Sequence, residues 1–362
     1  MNLRIPGPTP CPEDVLAAGA AQMMNHRGPE FAQILRRVTD GLNWVFGSPT
    51  DVLSFTTSGT GGLEVAVVNT LSPGDRVLSV SIGSFGDRLK SIARTYGADV
   101  VGYATEWGEA ADATVIAKML DDDPSIKAVL VTHNETSTGV TNPLEVIAKE
   151  VRKRDRLIIV DAVSSMSSIP CPVERWDLDV VVSGSQKGWM VPPGLAFVYM
   201  SERAWAANAE AKMPRFYFDA AKTRESLAKL QNPWTPAMSI YYSMDKAFEL
   251  LRAEGLEGIF TRHEDVAAYT RERVKSLGLK LVPVNEQFAS NTVTAAWWPE
   301  GIDAKAMSKR AREEFGVVLG GGQGKLEGKI FRIGHLGWFQ KSDIAEALDV
   351  VERLLTEAKA TA

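Results

Sequence analysis

Seven short apolar runs between residues 50 and 200 alternate with stretches of helical periodicity, and this alternation limits the fold of the 362-residue chain more than any other feature. The runs are VLSF, RVLSVS, ADVVGYA, AVLVTH, RLIIVD, DVVVSG and LAFVYM. Several are apolar throughout rather than at every second position, so both faces of those strands are covered, as in a parallel sheet held between helical layers. Helix patterns lie between them: GLEVAVVNTL follows a glycine-rich turn and PLEVIAKEVRKR precedes RLIIVD, each with apolar residues near helical spacing. The fold class expected is α/β.

The pattern changes after YYSMDKAFELLRAEG, a helix that ends at Gly255. Helices GIFTRHEDVAAYTRERVKSLG and DAKAMSKRAREEFG then surround the strand candidates NTVTAAWW and KIFRIGHLG. The last helix, SDIAEALDVVERLLTEAKA, opens on a Ser/Asp cap and aligns Ile344, Leu348, Val351 and Leu355 on one face. The organisation expected is an amino-terminal arm over residues 1–20, a large domain over 21–254 and a smaller α+β domain over 255–362.

A net charge of −5 and the lack of any Lys/Arg-rich block argue against a nucleic-acid partner. Cys11 and Cys171 are too few for a disulfide framework or a thiolate metal site, and the four histidines are scattered, so no metal is expected and a reducing cytoplasm is the simplest setting. The opening MNLRIPGPTPCPEDV has prolines where a signal peptide needs an apolar stretch, and no run approaches the roughly 20 apolar residues of a membrane span. A cytoplasmic protein with no membrane partner is expected. The ending EAKATA matches no retention or peroxisomal signal.

In an open α/β sheet, ligands collect beyond the carboxyl ends of the strands, and polar residues follow four of the runs there. TTSGTGG follows VLSF, NETSTG follows AVLVTH, Asp161 closes RLIIVD, and SGSQKG follows DVVV. Lys187 in SGSQKG has no packing reason to end a buried strand, because an unpaired buried ammonium is costly; it needs a role or a route to water. Ser58-Gly59-Thr60-Gly61-Gly62 opens a helix and could cradle a phosphate, although glycine also serves close packing at such turns. No GxxxxGK[ST] or GxGxxG is present, so the nucleotide-binding loops are excluded. Asp161 alone could be a cap or a surface turn. Together, a phosphate loop, a carboxylate and a lysine at strand ends are the three anchors of pyridoxal 5′-phosphate.

In order along the chain, TTSGTGGLE, LSPGDRVLS, THNETSTGVTNP, VDAVSS, SGSQKG, NPWTPA, SNTVTA and FRIGHLG resemble the alanine/serine–glyoxylate aminotransferases of the class V pyridoxal-phosphate family, nearest the serine–glyoxylate branch. The resemblance runs from PGPTP at Pro6 to the last helix. It implies fold type I: a mixed seven-stranded sheet between helical layers, a smaller carboxyl-terminal domain, and a homodimer with shared active sites. Carried over by position, Lys187 is the Schiff-base lysine and Asp161 the partner of the pyridine nitrogen. Val163 packs beneath the ring, and Phe85 in GSFGDR stacks on its other face, where the family often has tryptophan. Ser58, Gly59, Thr60 and Gln186 hold the phosphate, Thr235 reaches it from the neighbouring subunit, and Ser137 lies near the ring oxygen. Arg332 is the fork for the substrate's α-carboxylate; independently of the family, an arginine in an apolar strand needs a partner, either such a carboxylate or an internal one such as Glu327. Asn25, His26 and Arg27 in MMNHRGPEF lie near the substrate side chain, while Trp234 and His335 either line the pocket or pack in the core.

The activity implied moves the amino group of serine or alanine to glyoxylate by a ping-pong mechanism. His26, where ureidoglycine–glyoxylate relatives are expected to carry glutamine, counts against that substrate. A desulfurase or lyase of the same fold and a non-catalytic subunit of a hydrogenase complex are the alternatives. Cys11 and Cys171 lie outside any desulfurase motif, and a scaffold has no use for Lys187, Asp161 and Arg332 together.

Overall fold

A computed structural model describes residues 1–361; Ala362, the end of EAKATA, lies outside them. All seven apolar runs become strands of one sheet: β2 (Leu53–Thr56), β3 (Arg76–Ser81), β4 (Asp99–Ala104), β5 (Ala128–Thr132), β8 (Leu157–Asp161), β9 (Val180–Gly184) and β10 (Leu195–Met200). Their order is β2-β10-β9-β8-β5-β3-β4, and β10 runs antiparallel to both of its neighbours in an otherwise parallel sheet. The central strands β5, β9 and β10 are buried at every residue, which is why their sequences show no alternation.

Between β5 and β8 lies a short ribbon of β6 (Asn134–Glu135) and β7 (Val140–Thr141). A second sheet, in the order β1-β12-β13-β11, joins β1 (Asn2–Arg4), β12 (Val317–Gly321), β13 (Ile330–Gly334) and β11 (Val293–Trp297). The start of the chain thus pairs with its end, Asn2 opposite Val317 and Arg4 opposite Leu319. Among the described residues, two large apolar cores accompany these two sheets, with a small third cluster of Val282, Ala295, Leu326 and Ile330. One runs from Val15 to Ile259, and the other gathers Val266, Phe331, Ile333, Ile344, Leu348, Val351 and Leu355. The last helix begins at Lys341, and instead of capping it from the front, the Asp343 carboxylate accepts the backbone N–H of Gln340 at 2.7 Å.

The antiparallel β10 dictates the short loop after β9. Parallel neighbours need long crossovers, whereas β9 returns directly to β10 through residues 185–194. That connection is tied down: Ser185 N–H donates to the Leu195 carbonyl, the Ser185 hydroxyl to the Pro192 carbonyl, and the Leu195 N–H to Ser185 Oγ. Trp189 is fully buried against Phe46, Phe197 and Phe248 and donates its indole N–H to Ser183 Oγ at 2.9 Å. Lys187 sits within this anchored loop.

Candidate active site

The carboxyl ends of β2, β3, β5, β8 and β9 point to one region, and most of the polar residues singled out in the sequence meet there. Asp161 ends β8 in register with Thr132 of β5 and Val182 of β9. Its Oδ1 accepts the Val163 N–H at 3.0 Å, and Oδ2 has no hydrogen bond within the described chain. Burial pushes this carboxyl up to about 6, the Val163 N–H pulls it back down, and the nearby Glu135 charge adds to the rise.

Lys187 lies close enough to Asp161 for the two charges to interact. Burial and the Arg332 charge hold the ammonium down at about 8, against the opposing pull of Asp161. Its Nζ donates to the Pro6 carbonyl at 2.6 Å.

The helix Gly59–Thr70 starts beside this pair, with Ser58 as its cap; Ser58 Oγ accepts the Gly61 N–H at 3.4 Å. Gly62 is there for packing, since a Cβ on it would lie 2.7 Å from Val182 and 2.9 Å from Ala196. A Cβ on Gly59 would fall 2.9 Å from Val163, so the glycine turn and the Asp161 turn are in contact. Gln186 flanks the same turn, and its buried Oε1 has no partner. Thr60 Oγ1 accepts from Arg88 Nη1 at 3.3 Å, and the Arg88 guanidinium also covers one face of the Phe85 ring, 4.7 Å from its centroid.

Glu135, in the ribbon after β5, is fully buried, and sequence reasoning missed it. Its Oε1 accepts the Ser137 N–H at 3.1 Å and the Ser137 hydroxyl at 2.6 Å. Its Oε2 accepts the N–H groups of Phe85 at 3.0 Å and Gly86 at 3.1 Å, at the start of the helix Ser84–Thr95. One carboxylate therefore holds both Phe85 and Ser137 in place. Burial raises its pKa, and these four bonds oppose the rise. Arg88 was missed for a similar reason. The sequence signal available for each was only its place in NETSTG and GSFGDR.

Arg332 in β13 reaches the same region. It donates from Nε to the Gly321 carbonyl at 2.8 Å and from Nη1 to the Thr136 carbonyl at 2.9 Å, while Nη2 has no hydrogen bond within the described chain. The internal partner considered from the sequence is not used, because Glu327 pairs with Lys305 at 3.5 Å. Burial lowers the Arg332 pKa to about 10, which leaves it cationic at neutral pH. His335 is a core residue, fully buried with Nε2 hydrogen-bonded to Thr294 Oγ1 at 2.8 Å.

Three of the predicted residues stand apart from Lys187 in the chain. Thr235 is exposed beside Trp234, which stacks on Phe216 at 4.9 Å. Asn25 and His26 form the turn before the helix Pro29–Phe46, where Asn25 Oδ1 accepts the Arg27 N–H at 3.0 Å and Arg27 Nη1 donates to Gln231 at 3.0 Å. Among the described residues, no group of three or more His, Cys, Asp or Glu side chains could hold a metal ion.

The Lys187 pKa fixes a sign for the stability of the ligand-free protein. The unfolded lysine keeps its proton to about 10.5 and the folded one only to about 8, so the unfolded chain binds more protons in that window and stability rises across it. At neutral pH the buried charge costs about 3 kcal/mol, at about 1.4 kcal/mol per pH unit. Lys187→Met is expected to raise the urea midpoint of the ligand-free protein at neutral pH, with the gain shrinking as pH climbs toward 10.5. A midpoint unchanged or lowered at neutral pH contradicts the assignment.

The family described as "Aminotransferase class-V" matches residues 5–325. The chain is 43% identical to the "Soluble hydrogenase, small subunit" of Synechococcus sp., over 98% of this chain and 93% of that one. It is 39% identical to L-aspartate–glyoxylate aminotransferase of Paracoccus denitrificans, over 92% and 85%, and 35% identical to serine–glyoxylate aminotransferase of Methylorubrum extorquens, over 98% and 91%. Among solved structures, alanine–glyoxylate aminotransferase from Nostoc sp. superposes with a TM-score of 0.92 at 30% identity, covering 98% of this chain and 94% of that one.

Proposed function

This chain belongs to the class V aminotransferase family, and from that premise we propose that it transfers the amino group of L-serine or L-alanine to glyoxylate, giving glycine and hydroxypyruvate or pyruvate. The two half-reactions share one site, so the kinetics are ping-pong. One observation carries the reading: a half-buried lysine, its amine held by a backbone carbonyl, interacts with the charge of a buried carboxylate that has one oxygen without a hydrogen bond, just past the ends of neighbouring strands.

The donor set suits pyridoxal 5′-phosphate. Ser58, Gly59, Thr60 and the Nε2 donor of Gln186 would hold its phosphate at the start of the helix Gly59–Thr70, where free N–H groups and the helix dipole favour an anion. Asp161 Oδ2 would hold the protonated ring nitrogen, Val163 and the uncovered face of Phe85 would flank the ring, Ser137 would meet the ring oxygen, and the Lys187 amine would anchor the group. When bound, the cofactor supplies the carbonyl that takes up the amino group and a ring that stabilises negative charge at the substrate's Cα.

The chain's own residues do the rest. Arg332 fixes the substrate carboxylate through the N–H groups its two carbonyl bonds leave over, which sets the direction of the Cα–H. Lys187, with a pKa of about 8, is unprotonated in an appreciable share of molecules near neutral pH, so its Nζ can accept the Cα proton and give it back. Among the described residues, Thr235, Asn25 and His26 form no hydrogen bond with Lys187, whose amine bonds to Pro6 instead, which suits a homodimer whose copies complete each other's sites. The division into an arm at 1–20, a large domain at 21–254 and a small domain at 255–362 belongs to the same reading. So does a cytoplasmic setting; no helix among the described residues is long and apolar enough to cross a membrane.

The name of the Synechococcus relative favours a second reading, that of a non-catalytic subunit. Against it, an amine, a carboxylate and a guanidinium buried together are costly, and a scaffold gains nothing from them. Desulfurase chemistry needs a thiolate, yet burial pushes the Cys11 thiol up to about 11 and the Cys171 thiol up to about 12. The deciding experiment is a visible-absorption scan of protein incubated with pyridoxal phosphate and then with serine, alanine or aspartate. Colour that appears, shifts with serine or alanine and returns on adding glyoxylate is the expected result. A colourless protein favours the subunit reading, and a shift with aspartate alone overturns the proposed donor.

A further inference from the structure

We propose that the amino-terminal strap Ile5–Thr9 is a positioning element that receives the Lys187 amine whenever the amine is free, with the Pro6 carbonyl as acceptor and Gly7 as the clearance that lets them meet. The inference rests on the role proposed for Lys187 in transamination.

The strap is fixed at both ends. Upstream, β1 is paired to β12, and the chain then presses on the strand that carries Arg332: a Cβ on Gly334 would lie 2.6 Å from the Ile5 carbonyl carbon and 3.0 Å from Pro6 Cα. Downstream, Thr9 N–H donates to the Gln186 carbonyl at 3.1 Å, and the Thr9 hydroxyl to the Lys187 carbonyl at 3.0 Å. Between these ties the Pro6 carbonyl accepts Lys187 Nζ at 2.6 Å. A side chain at position 7 would overlap Nζ and would stand 2.7 Å from Cδ and 2.8 Å from Cε of the same lysine. Gly7 has a φ of +138°, outside the range that L side chains readily adopt, so both space and backbone call for glycine.

The acceptor's chemistry suits the task. A lysine displaced by substrate leaves an amine in a desolvated site where the Arg332 and Arg88 charges disfavour its protonated form and the Asp161 charge favours it. A carboxylate there would trap it as ammonium, whereas a neutral carbonyl gives one directed hydrogen bond and holds the amine at a fixed place near its point of return. The same segment touches β12, β13 and the lysine loop, so it links the sheet that carries Arg332 to the residue that moves the proton.

The test uses the ligand-free protein. Gly7→Ala is expected to slow the addition of pyridoxal phosphate, followed by visible absorbance, by roughly tenfold or more, the worth of a lost hydrogen bond from a charged donor. The midpoint of that rate's pH dependence should fall, because the amine loses a contact that favours its charged form, while circular dichroism stays as in wild type and the melting temperature falls no further than the backbone strain of alanine at this φ accounts for. A rate within about twofold of wild type, with the same pH midpoint, overturns the proposal. If Gly7→Ala does not fold, hydrogen exchange of the Ile5, Gly7 and Thr9 amides in ligand-free Lys187→Met decides. Exchange faster than wild type by about fivefold, the worth of one net hydrogen bond, supports the strap's tie to the amine, and unchanged exchange overturns it. The exchange measurement involves no cofactor. A wild-type protein that never takes up pyridoxal phosphate therefore sinks the proposed transamination, whatever the exchange rates say about the strap.

Discussion

Lys187→Ala is expected to lower turnover with serine and glyoxylate by more than about a thousandfold, since positioned proton transfer alone contributes about 10²–10⁴-fold and the covalent anchor is lost as well. No other lysine is placed to substitute: the charges that act on Asp161 are those of Glu135, Arg88 and Lys187. Borohydride trapping and peptide mapping of the wild type should put the label on Lys187. Multiple turnovers in the variant, or a label on a different lysine, would refute the assignment.

Arg332→Ala is the second large effect. Its guanidinium is buried, forms no ion pair among the described residues, and is held by two carbonyls in a position that leaves Nη2 free. Removing it takes away the charged, hydrogen-bonded partner of the substrate carboxylate, a loss of about 2–5 kcal/mol, or roughly thirtyfold and upward in kcat/KM for every α-amino acid. Uptake of pyridoxal phosphate should persist, because Arg332 is not among the groups proposed to hold it. Arg332→Lys should recover only part of the loss, since an ammonium lacks the planar fork. Unchanged saturation by serine in Arg332→Ala would contradict the role.

Much of this was legible in the residues. Six of the seven strands declared themselves because a strand covered by its neighbours and the helical layers needs apolar side chains at successive positions; the edge strand β4, exposed or half-buried at every residue, showed only through the valines and tyrosine of DVVGYA. The strands β1 and β12 gave no such signal. NLR is too short for any period, and VVLGG ends in glycines that read as a turn. The site divides in the same way. Lys187, Asp161 and Arg332 stood out because a charged residue at the end of an apolar run, or within one, needs a reason. Glu135 did not, because a glutamate among Asn134, Thr136 and Ser137 looks like any polar turn until the fold buries it against the Phe85 and Gly86 N–H groups. Backbone acceptors leave no trace in side-chain patterns at all. The carbonyls that hold Arg332 and Lys187 belong to Gly321, Thr136 and Pro6, and only folding brings them there.

The reversed direction of β10 bears on how such a chain can diverge. Helical crossovers elsewhere in the large sheet can gain or lose a turn at the surface while the strand ends stay where they are. The passage from Gly184 to Leu195 has no such slack, being pinned at Ser185, at Trp189 and by strand pairing on both sides. One added residue there would shift the amine relative to the acid on the adjacent strand. Insertions and deletions are therefore cheap in the crossovers and prohibitive in this loop, which makes its length a stricter signature of the chemistry than the identity of most residues within it.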